Sequence, residues 1–378
     1  MQRLTWLPHG EIEWGHDILE TATAELEHRG IERPLVLTVE RLLPFYDQHI
    51  APHLRDGAGV FSALPAHAPD TSIQQGLTEV ERLGARSIVA LGGGSVIDAA
   101  KAVSHLHHER TGRYLPIAAF PTTLSGSEFS HYFGITETTS PARFKRSYAV
   151  RDTVPKTVVL DPRLLLNTPR ELLLSSAIKG IDHAVEGMRR VDVSHPHAVL
   201  ASEGVERFFS VLNRWPHGLE TIDAVRQGHV SHDDLLQLQL AAWHCYFFPA
   251  SVVYGLSHRI GHILGGTFGV PHSVTSCITL APVVSACAQR YGDKLRIFMP
   301  LGADGELSAR STAAGLLSSR IASTVGRLGL PYRLRDVGFV ATDFPRVAAL
   351  LEQNYPDEVD DLDPRYRGAL STFLESLW

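Results

Sequence analysis

Between residues 30 and 161, short runs of β-branched and aliphatic residues alternate with stretches whose apolar positions recur at helical spacing. Pro34–Val39 reads as a buried strand, Thr71–Leu83 as a helix and Arg86–Leu91 as a second strand, followed by a helix over Val96–His107 and a strand over Leu115–Phe120. Continuous apolar runs suit strands buried on both faces, and strands separated by helices imply parallel pairing through crossover connections. After Thr168-Pro169 the period changes. Arg170–Arg190, His197–Trp215, Ser231–Tyr246, Leu256–Leu264 and Ala309–Leu328 carry apolar residues three and four apart, and strand-like runs become scarce. Asp161-Pro162 and Thr168-Pro169 punctuate the change, so an α/β domain over 1–164 and an all-α domain over 165–378 are expected. The segment Phe344–Asp363, with Pro356 and an acidic run, reads as a solvated connection ahead of a last short helix.

Composition narrows the classes of function. A chain of 378 residues exceeds what one hydrophobic core usually covers, which supports two domains. The net charge of −6 comes without any long basic run, which argues against a nucleic-acid surface, so no nucleic-acid partner is expected. The first twenty residues lack a basic region followed by an apolar stretch, and no window approaches the roughly 20 apolar residues that would span a bilayer. A cytoplasmic protein with no membrane partner is therefore expected. Cys245, Cys277 and Cys287 lack CxxC spacing and read as reduced core thiols.

Two loops carry candidate chemistry in the first half. Gly92, Gly93, Gly94 and Ser95 lie between an apolar strand and a helix that begins at once. Missing side chains let backbone N–H groups approach an anion, and the helix start adds partial positive charge at the same spot, so a pyrophosphate fits there. Neither GxGxxG nor GxxxxGK[ST] is present, and a plain glycine turn is an equal reading of this loop taken alone. Asp98 and Lys101 are then either a helix-surface pair or, in the functional reading, a source of one side chain facing the cofactor. One strand later, Pro121-Thr122-Thr123-Leu124-Ser125-Gly126-Ser127-Glu128 places four hydroxyls at the C-terminal end of a strand, where open α/β sheets bind ligands. Thr122, Thr123 and Ser125 can donate to phosphate or ribose oxygens.

The second half holds the histidines that matter. Lys179 and His183 are four apart, as are His258 and His262, so each pair shares a helix face. His272 follows a turn marked by Gly269 and Pro271. Any one of these alone reads as a core or surface histidine, whereas four in two segments with matching spacing read as a site. His105, His107, His108, His195 and His197 lack such context and read as surface residues.

In this order the motifs resemble the iron-containing (group III) alcohol dehydrogenase family, with its dehydroquinate synthase-like fold. The likeness runs from Gly92 to about Pro282, with a weaker echo at Leu330–Gly338. The glycine turn is similar to the family's GGGSxxDxAK, which binds cofactor pyrophosphate, and Thr122–Glu128 to its second cofactor loop. That loop reads TTLSGSE, one residue shorter than in the iron enzymes and equal in length to that of the maleylacetate reductase branch. The resemblance implies NADH or NADPH as cofactor, held by Gly92, Gly93, Gly94, Ser95, Asp98, Thr122, Thr123 and Ser125, with Lys145 near it. It also implies a metal site built from an aspartate, His183, His258 and His272. At the aspartate's position this chain has Lys179. An ammonium aimed at three imidazoles repels a cation that a carboxylate would attract, so no bound iron or zinc is expected.

The expected activity is NAD(P)H-dependent reduction of a carbonyl, an oxo acid on the maleylacetate reductase likeness. Lys179, His183, His258, His262 and His272 form the catalytic group, with lysine and imidazoles as electrophile and proton donor in place of a metal. Arg143, Lys145 and Arg146 read either as carboxylate contacts or as a solvated basic hairpin. On the resemblance Val39 stands roughly where NAD-preferring members carry an acidic residue after the second strand, and Glu40 is adjacent; an acidic group there would favour NADH over NADPH, and its absence leaves either open. Three rivals stand beside this reading: an iron- or zinc-dependent alcohol dehydrogenase, a sugar-phosphate cyclase using NAD transiently, and a protein that only binds nucleotide. The partner is a small-molecule carbonyl or alcohol, and the family likeness implies a homodimer.

Overall fold

The computed structural model describes residues 4–65, 68–138, 144–299, 312–366 and 370–378. The chain divides into an α/β unit, Thr5–Thr168 together with Ser231–Gln239, and a helical unit made of Pro169–Val230 and Leu240–Trp378. The division after Thr168 lies four residues beyond the boundary read from the sequence. The return of Ser231–Gln239 to the first unit had no signature there, because helical spacing says nothing of which core a helix serves. Gln239 Nε2 donates to the Asp161 carbonyl at 3.1 Å in that unit.

The α/β unit contains strands β1 (Glu11–Trp14), β2 (Pro34–Leu37), β3 (Gly59–Phe61), β4 (Ser87–Gly92), β5 (Ile117–Pro121), β6 (Tyr132–Glu137), β7 (Phe144–Ala149) and β8 (Thr157–Leu160). Helices α1 (Leu19–Ala24), α2 (Leu43–His49), α3 (Asp70–Leu83) and α4 (Gly94–Thr111) accompany them. Six strands form a parallel sheet in the order β1-β8-β5-β4-β2-β3, and β6 and β7 make a separate antiparallel hairpin. Every residue of β2, β4, β5 and β8 is buried, because both faces are covered. Leu35, Leu37, Ile88 and Ala90 enter one core with α3 and α4, while Val36, Val89 and Leu91 enter another with α1. Each such Leu, Ile or Val contributes about 1.5–3 kcal/mol on burial.

The strand order sets where a ligand can sit. From β2 the chain runs outward to β3, returns past β2 to β4, and then proceeds the other way to β5 and β8. The connections leaving the C-terminal ends of β2 and β4 diverge, and such a switch point is where open α/β sheets bind nucleotides. The glycine turn lies at the end of β4.

The helical unit runs through α5 (Arg170–Gly187), α6 (Pro196–Leu212), α7 (Thr221–Arg226), α8 (His232–Cys245, whose start belongs to the α/β unit), α9 (Leu256–Phe268), α10 (His272–Ala286), α11 (Ala288–Tyr291), α12 (Ala313–Arg327), α13 (Phe344–Asn354), α14 (Pro356–Val359) and α15 (Leu370–Glu375). Helix α10 packs against α5, α9 and α12, and its residues from Val274 to Leu280 are buried without a break. The helix is therefore buried all round rather than on one stripe, with Thr275, Ser276 and Thr279 among the buried residues.

Two expectations fail here. Phe344–Asp363 is not a solvated connection: α13 buries Phe344, Val347, Ala348 and Leu351, and Leu362 is fully buried. Its acidic run compensates a buried cation. Arg189 is 2% exposed, and it donates to Asp361 and, at 2.6 Å, to the Asp357 carbonyl. His195 and His197 are 3% and 1% exposed rather than on the surface. His197 Nε2 bonds the Ala184 carbonyl at 3.2 Å, and the His197 backbone N–H donates to His195 Nδ1 at 3.0 Å. His105, His107 and His108 are half-buried along α4. The three cysteines are buried and unpaired. Among the described residues no helix is long and apolar enough to cross a membrane.

Candidate functional site

In the α/β unit β4 ends at Gly92 and α4 begins at Gly94, so Gly93 alone makes the turn. A Cβ on Gly92 would lie 2.6 Å from Val96 Cγ2, one on Gly93 2.8 Å from Thr123 Cγ2, and one on Gly94 2.7 Å from Ser125 Oγ. The first glycine lets α4 close on its own strand. The other two let the loop after β5 lie directly on the turn. Thr122 N–H donates to the Gly92 carbonyl at 3.0 Å, and Thr123 Oγ1 donates to Ser125 Oγ at 3.2 Å. Thr122 Oγ1 is buried and has no partner among the described residues, while Ser95 is exposed at the helix start. The first N–H groups of a helix have no intrahelical acceptor, so the turn presents donors and bare backbone together. Glu40, exposed, opens a 3-10 turn three residues past the end of β2, in the connection on the other side of the switch point.

Asp98 and Lys101 are not a surface pair. Asp98 Oδ1 accepts from Ser127 Oγ at 2.6 Å and Oδ2 from the Gly134 N–H at 3.3 Å. Lys101 is fully buried, its Nζ donating to the carbonyls of Ser127 and Tyr132 and to Ser127 Oγ. Burial brings the Lys101 ammonium down to about 8 and pushes the Glu128 carboxyl beside it up to about 7. Both side chains of α4 thus anchor the second loop. Lys145 pairs through its backbone with Thr136 in the β6–β7 hairpin; its side chain, like the whole of Arg143, lies outside the described residues. Arg146 pairs with Glu137 at 2.9 Å on the exposed face of that hairpin.

In the helical unit the five residues singled out do come together. Lys179 and His183 lie on α5, His258 and His262 on α9, and His272 opens α10. Gly269, at φ 72°, ends α9 in the left-handed conformation, so the chain reverses within three residues and sets the His262 and His272 rings 5.6 Å apart. The His258 ring is 4.5 Å from that of His262, 5.5 Å from His183 and 6.4 Å from His272. Lys179 Nζ is 2.9 Å from Asp182 Oδ2 and 2.9 Å from His258 Nδ1. An ammonium only donates, so His258 Nδ1 accepts and its ring proton sits on Nε2. Burial, reinforced by the Lys179 charge, holds His183 and His258 well below the usual imidazole range, leaving both neutral.

Several residues of this group were not anticipated. Asp182 is the carboxylate partner of Lys179, and Ser276 Oγ donates to its Oδ2 at 2.6 Å. Tyr246 stacks on His183 at 4.0 Å and Tyr254 on His258 at 4.7 Å. Glu186 is buried and pushed up to about 7 by burial; it accepts from Tyr291 Oη and, at 3.2 Å, from the His258 N–H. The spacing of Lys179 and Asp182 on one helix was a readable signal, whereas the tyrosines and Ser276 come from packing that no local pattern encodes. Among the described residues no three His, Cys, Asp or Glu side chains are grouped so as to hold a metal ion.

Comparison with known proteins fits both halves. Residues 9–162 match the family described as iron-containing alcohol dehydrogenase, and 238–358 match the C-terminal part of the Fe-containing alcohol dehydrogenase family. The maleylacetate reductase of Pseudomonas aeruginosa is 30% identical over 348 residues, 92% of this chain and 90% of that protein. Among solved structures, a putative alcohol dehydrogenase from Ralstonia eutropha is 27% identical with a TM-score of 0.81, over 100% of this chain and 98% of that one. Maleylacetate reductase from Agrobacterium tumefaciens, 24% identical with a TM-score of 0.79 and the same coverage, shares the fold.

Proposed function

Because this chain belongs to the iron-containing alcohol dehydrogenase family and is an NAD(P)-dependent oxidoreductase, we propose that it reduces the carbonyl of an oxo acid, with Lys179 doing what a metal ion would otherwise do. The nucleotide is held by the turn at Gly92–Ser95 and by the loop carrying Thr122, Thr123 and Ser125. The fit is the cradle itself, since a side chain at Gly93 or Gly94 would strike that loop. When bound, the reduced cofactor supplies a hydride to the carbonyl carbon. The π pair then moves onto oxygen, and the protein must meet that charge and deliver a proton.

The observation that carries the reading is the position of Lys179 Nζ. Two of its three N–H groups go to Asp182 and His258, which leaves one for an oxygen. A buried ammonium stabilises a developing alkoxide more than it would in water, because the surroundings screen it less. The alkoxide takes its proton from this group or from a neighbouring imidazole. His262 and His272, half-buried, are the ones with access to solvent and restore that proton.

A divalent cation suits this donor set poorly. Lys179 stands where the family resemblance implies an aspartate ligand and occupies a lone pair of His258 and one of Asp182. The oxo-acid substrate is inferred from the maleylacetate reductase relatives. The test is a panel of aldehydes and oxo acids assayed for NADH and NADPH oxidation with wild type and Lys179→Met. Turnover of the best substrate should fall about 100- to 1000-fold in the variant, with cofactor KM little changed. An unchanged kcat removes Lys179 from the reaction, and an absence of net NAD(P)H consumption across the panel refutes the reductase assignment.

A further inference from the structure

We propose that Asp182 and Ser276 are positioning residues for Lys179, so that the lysine acts with a counter-ion of its own, itself aimed from a third helix. The inference rests on the reading that Lys179 meets the substrate oxygen. A lysine side chain is a flexible stem of four methylenes ending in a point charge, and nothing intrinsic to it fixes where the nitrogen sits. Here α5 supplies both the lysine and, one turn later, a fully buried carboxylate. The second contact, His258 Nδ1, comes from α9.

A carboxylate free to rotate would hold the ammonium loosely. Asp182 is restrained because the same oxygen that accepts from Lys179, Oδ2, also accepts from Ser276 Oγ at 2.6 Å, and Ser276 is buried on α10. Three helices thus meet at one lysine–aspartate pair, α9 through the nitrogen and α10 through the carboxylate. Burying an ammonium without a partner is strongly unfavourable, and burying a carboxylate without one equally so. The pair at positions 179 and 182 satisfies both conditions within one helical turn. Ser276 adds a charge-assisted hydrogen bond at the short end of the usual range.

The test is a double-mutant cycle read in kcat and KM separately. Asp182→Asn keeps the shape and removes the charge; it should lower kcat about tenfold to a hundredfold while leaving cofactor KM within about twofold. Ser276→Ala should lower kcat less, and Ser276→Thr, which keeps the hydroxyl, should restore most of it. On a Lys179→Met background neither change should lower kcat further, because both act through the lysine. Equal losses with and without Lys179 would overturn the proposal, as would wild-type kcat in Asp182→Asn or Ser276→Ala. If Asp182→Asn does not fold, the serine pair on the two backgrounds decides the matter. Should Lys179→Met itself turn over normally, the proposed function falls first; if it is impaired while the cycle is additive, only the positioning role falls.

Discussion

Gly94→Ala tests the proposed nucleotide seat at its tightest point. The added methyl would lie 2.7 Å from Ser125 Oγ and 3.3 Å from Ser125 Cβ. Rotating the hydroxyl away relieves the first contact but not the second, so the loop after β5 has to move off the turn. That loop is held by Thr123 Oγ1 on Ser125 Oγ and by Thr122 N–H on the Gly92 carbonyl, which resist the shift. Overpacking of this kind costs about 1–3 kcal/mol. Alanine itself is a better helix former than glycine, so the cost appears not as a melted helix but as a displaced loop that must be restored when nucleotide binds. Affinity for NADH and NADPH should therefore weaken by about 5- to 150-fold. Titration calorimetry on the free enzyme measures it directly. Ser125→Gly removes both contacted atoms, so Gly94→Ala/Ser125→Gly should bind close to the level of Ser125→Gly alone. Wild-type affinity in Gly94→Ala, or no relief in the double variant, would refute the assignment of this turn.

Two further outcomes follow from the same groups. Dialysis against a chelator should leave turnover intact and metal well below one ion per chain; about one iron or zinc per chain together with activity lost on chelation would refute the metal-independent reading. The buried Glu128–Lys101 pair should leave a mark on stability. Glu128 is held at about 7 against an ordinary 4.5, so the native state binds the extra proton and its stability falls as pH rises from about 4.5 to 7. Lys101 at about 8 against 10.5 gives the opposite slope above pH 8, where the folded protein has already lost the proton that the unfolded chain keeps. Glu128→Gln, which cannot ionise, should gain on wild type between pH 4.5 and 7 in denaturant titrations, and parallel profiles would show that burial does not perturb this carboxyl.

What the sequence made legible was local. The strands β2, β4 and β5 announce themselves as unbroken apolar runs because both sheet faces are covered, and the glycine turn because three adjacent residues lack side chains. Lys179, His183, His258 and His262 were readable because four-residue spacing places each pair on one helix face. What failed was whatever depends on distant partners. An acidic run looks solvated until a buried Arg189 from another part of the chain is set beside it. His197 looked like a surface residue until its ring is found against the Ala184 carbonyl on α5. The return of Ser231–Gln239 to the α/β unit and the restraint of Asp182 by Ser276 are likewise long-range facts.

The charge arithmetic at Lys179 bears on which carbonyls can react. A divalent ion held by one carboxylate and neutral imidazoles leaves a net positive centre, whereas an ammonium paired with Asp182 beside neutral His183 and His258 sums to zero. On the proposed reading the lysine would polarise a carbonyl by a directed N–H rather than by net charge, and it would be the weaker electrophile of the two. Two things offset this. The group is nearly devoid of solvent, with Lys179 3% and Asp182 0% exposed, so a single N–H counts for more than it would in water. A substrate whose carbonyl is already drained by electron-withdrawing neighbours also needs less polarisation, and oxo acids with conjugated or adjacent acyl groups have that character. The proposed site, zero-sum with a lysine at its centre, should therefore turn over activated carbonyls faster than simple aldehydes, and the rank order of kcat across the aldehyde and oxo-acid panel tests that expectation.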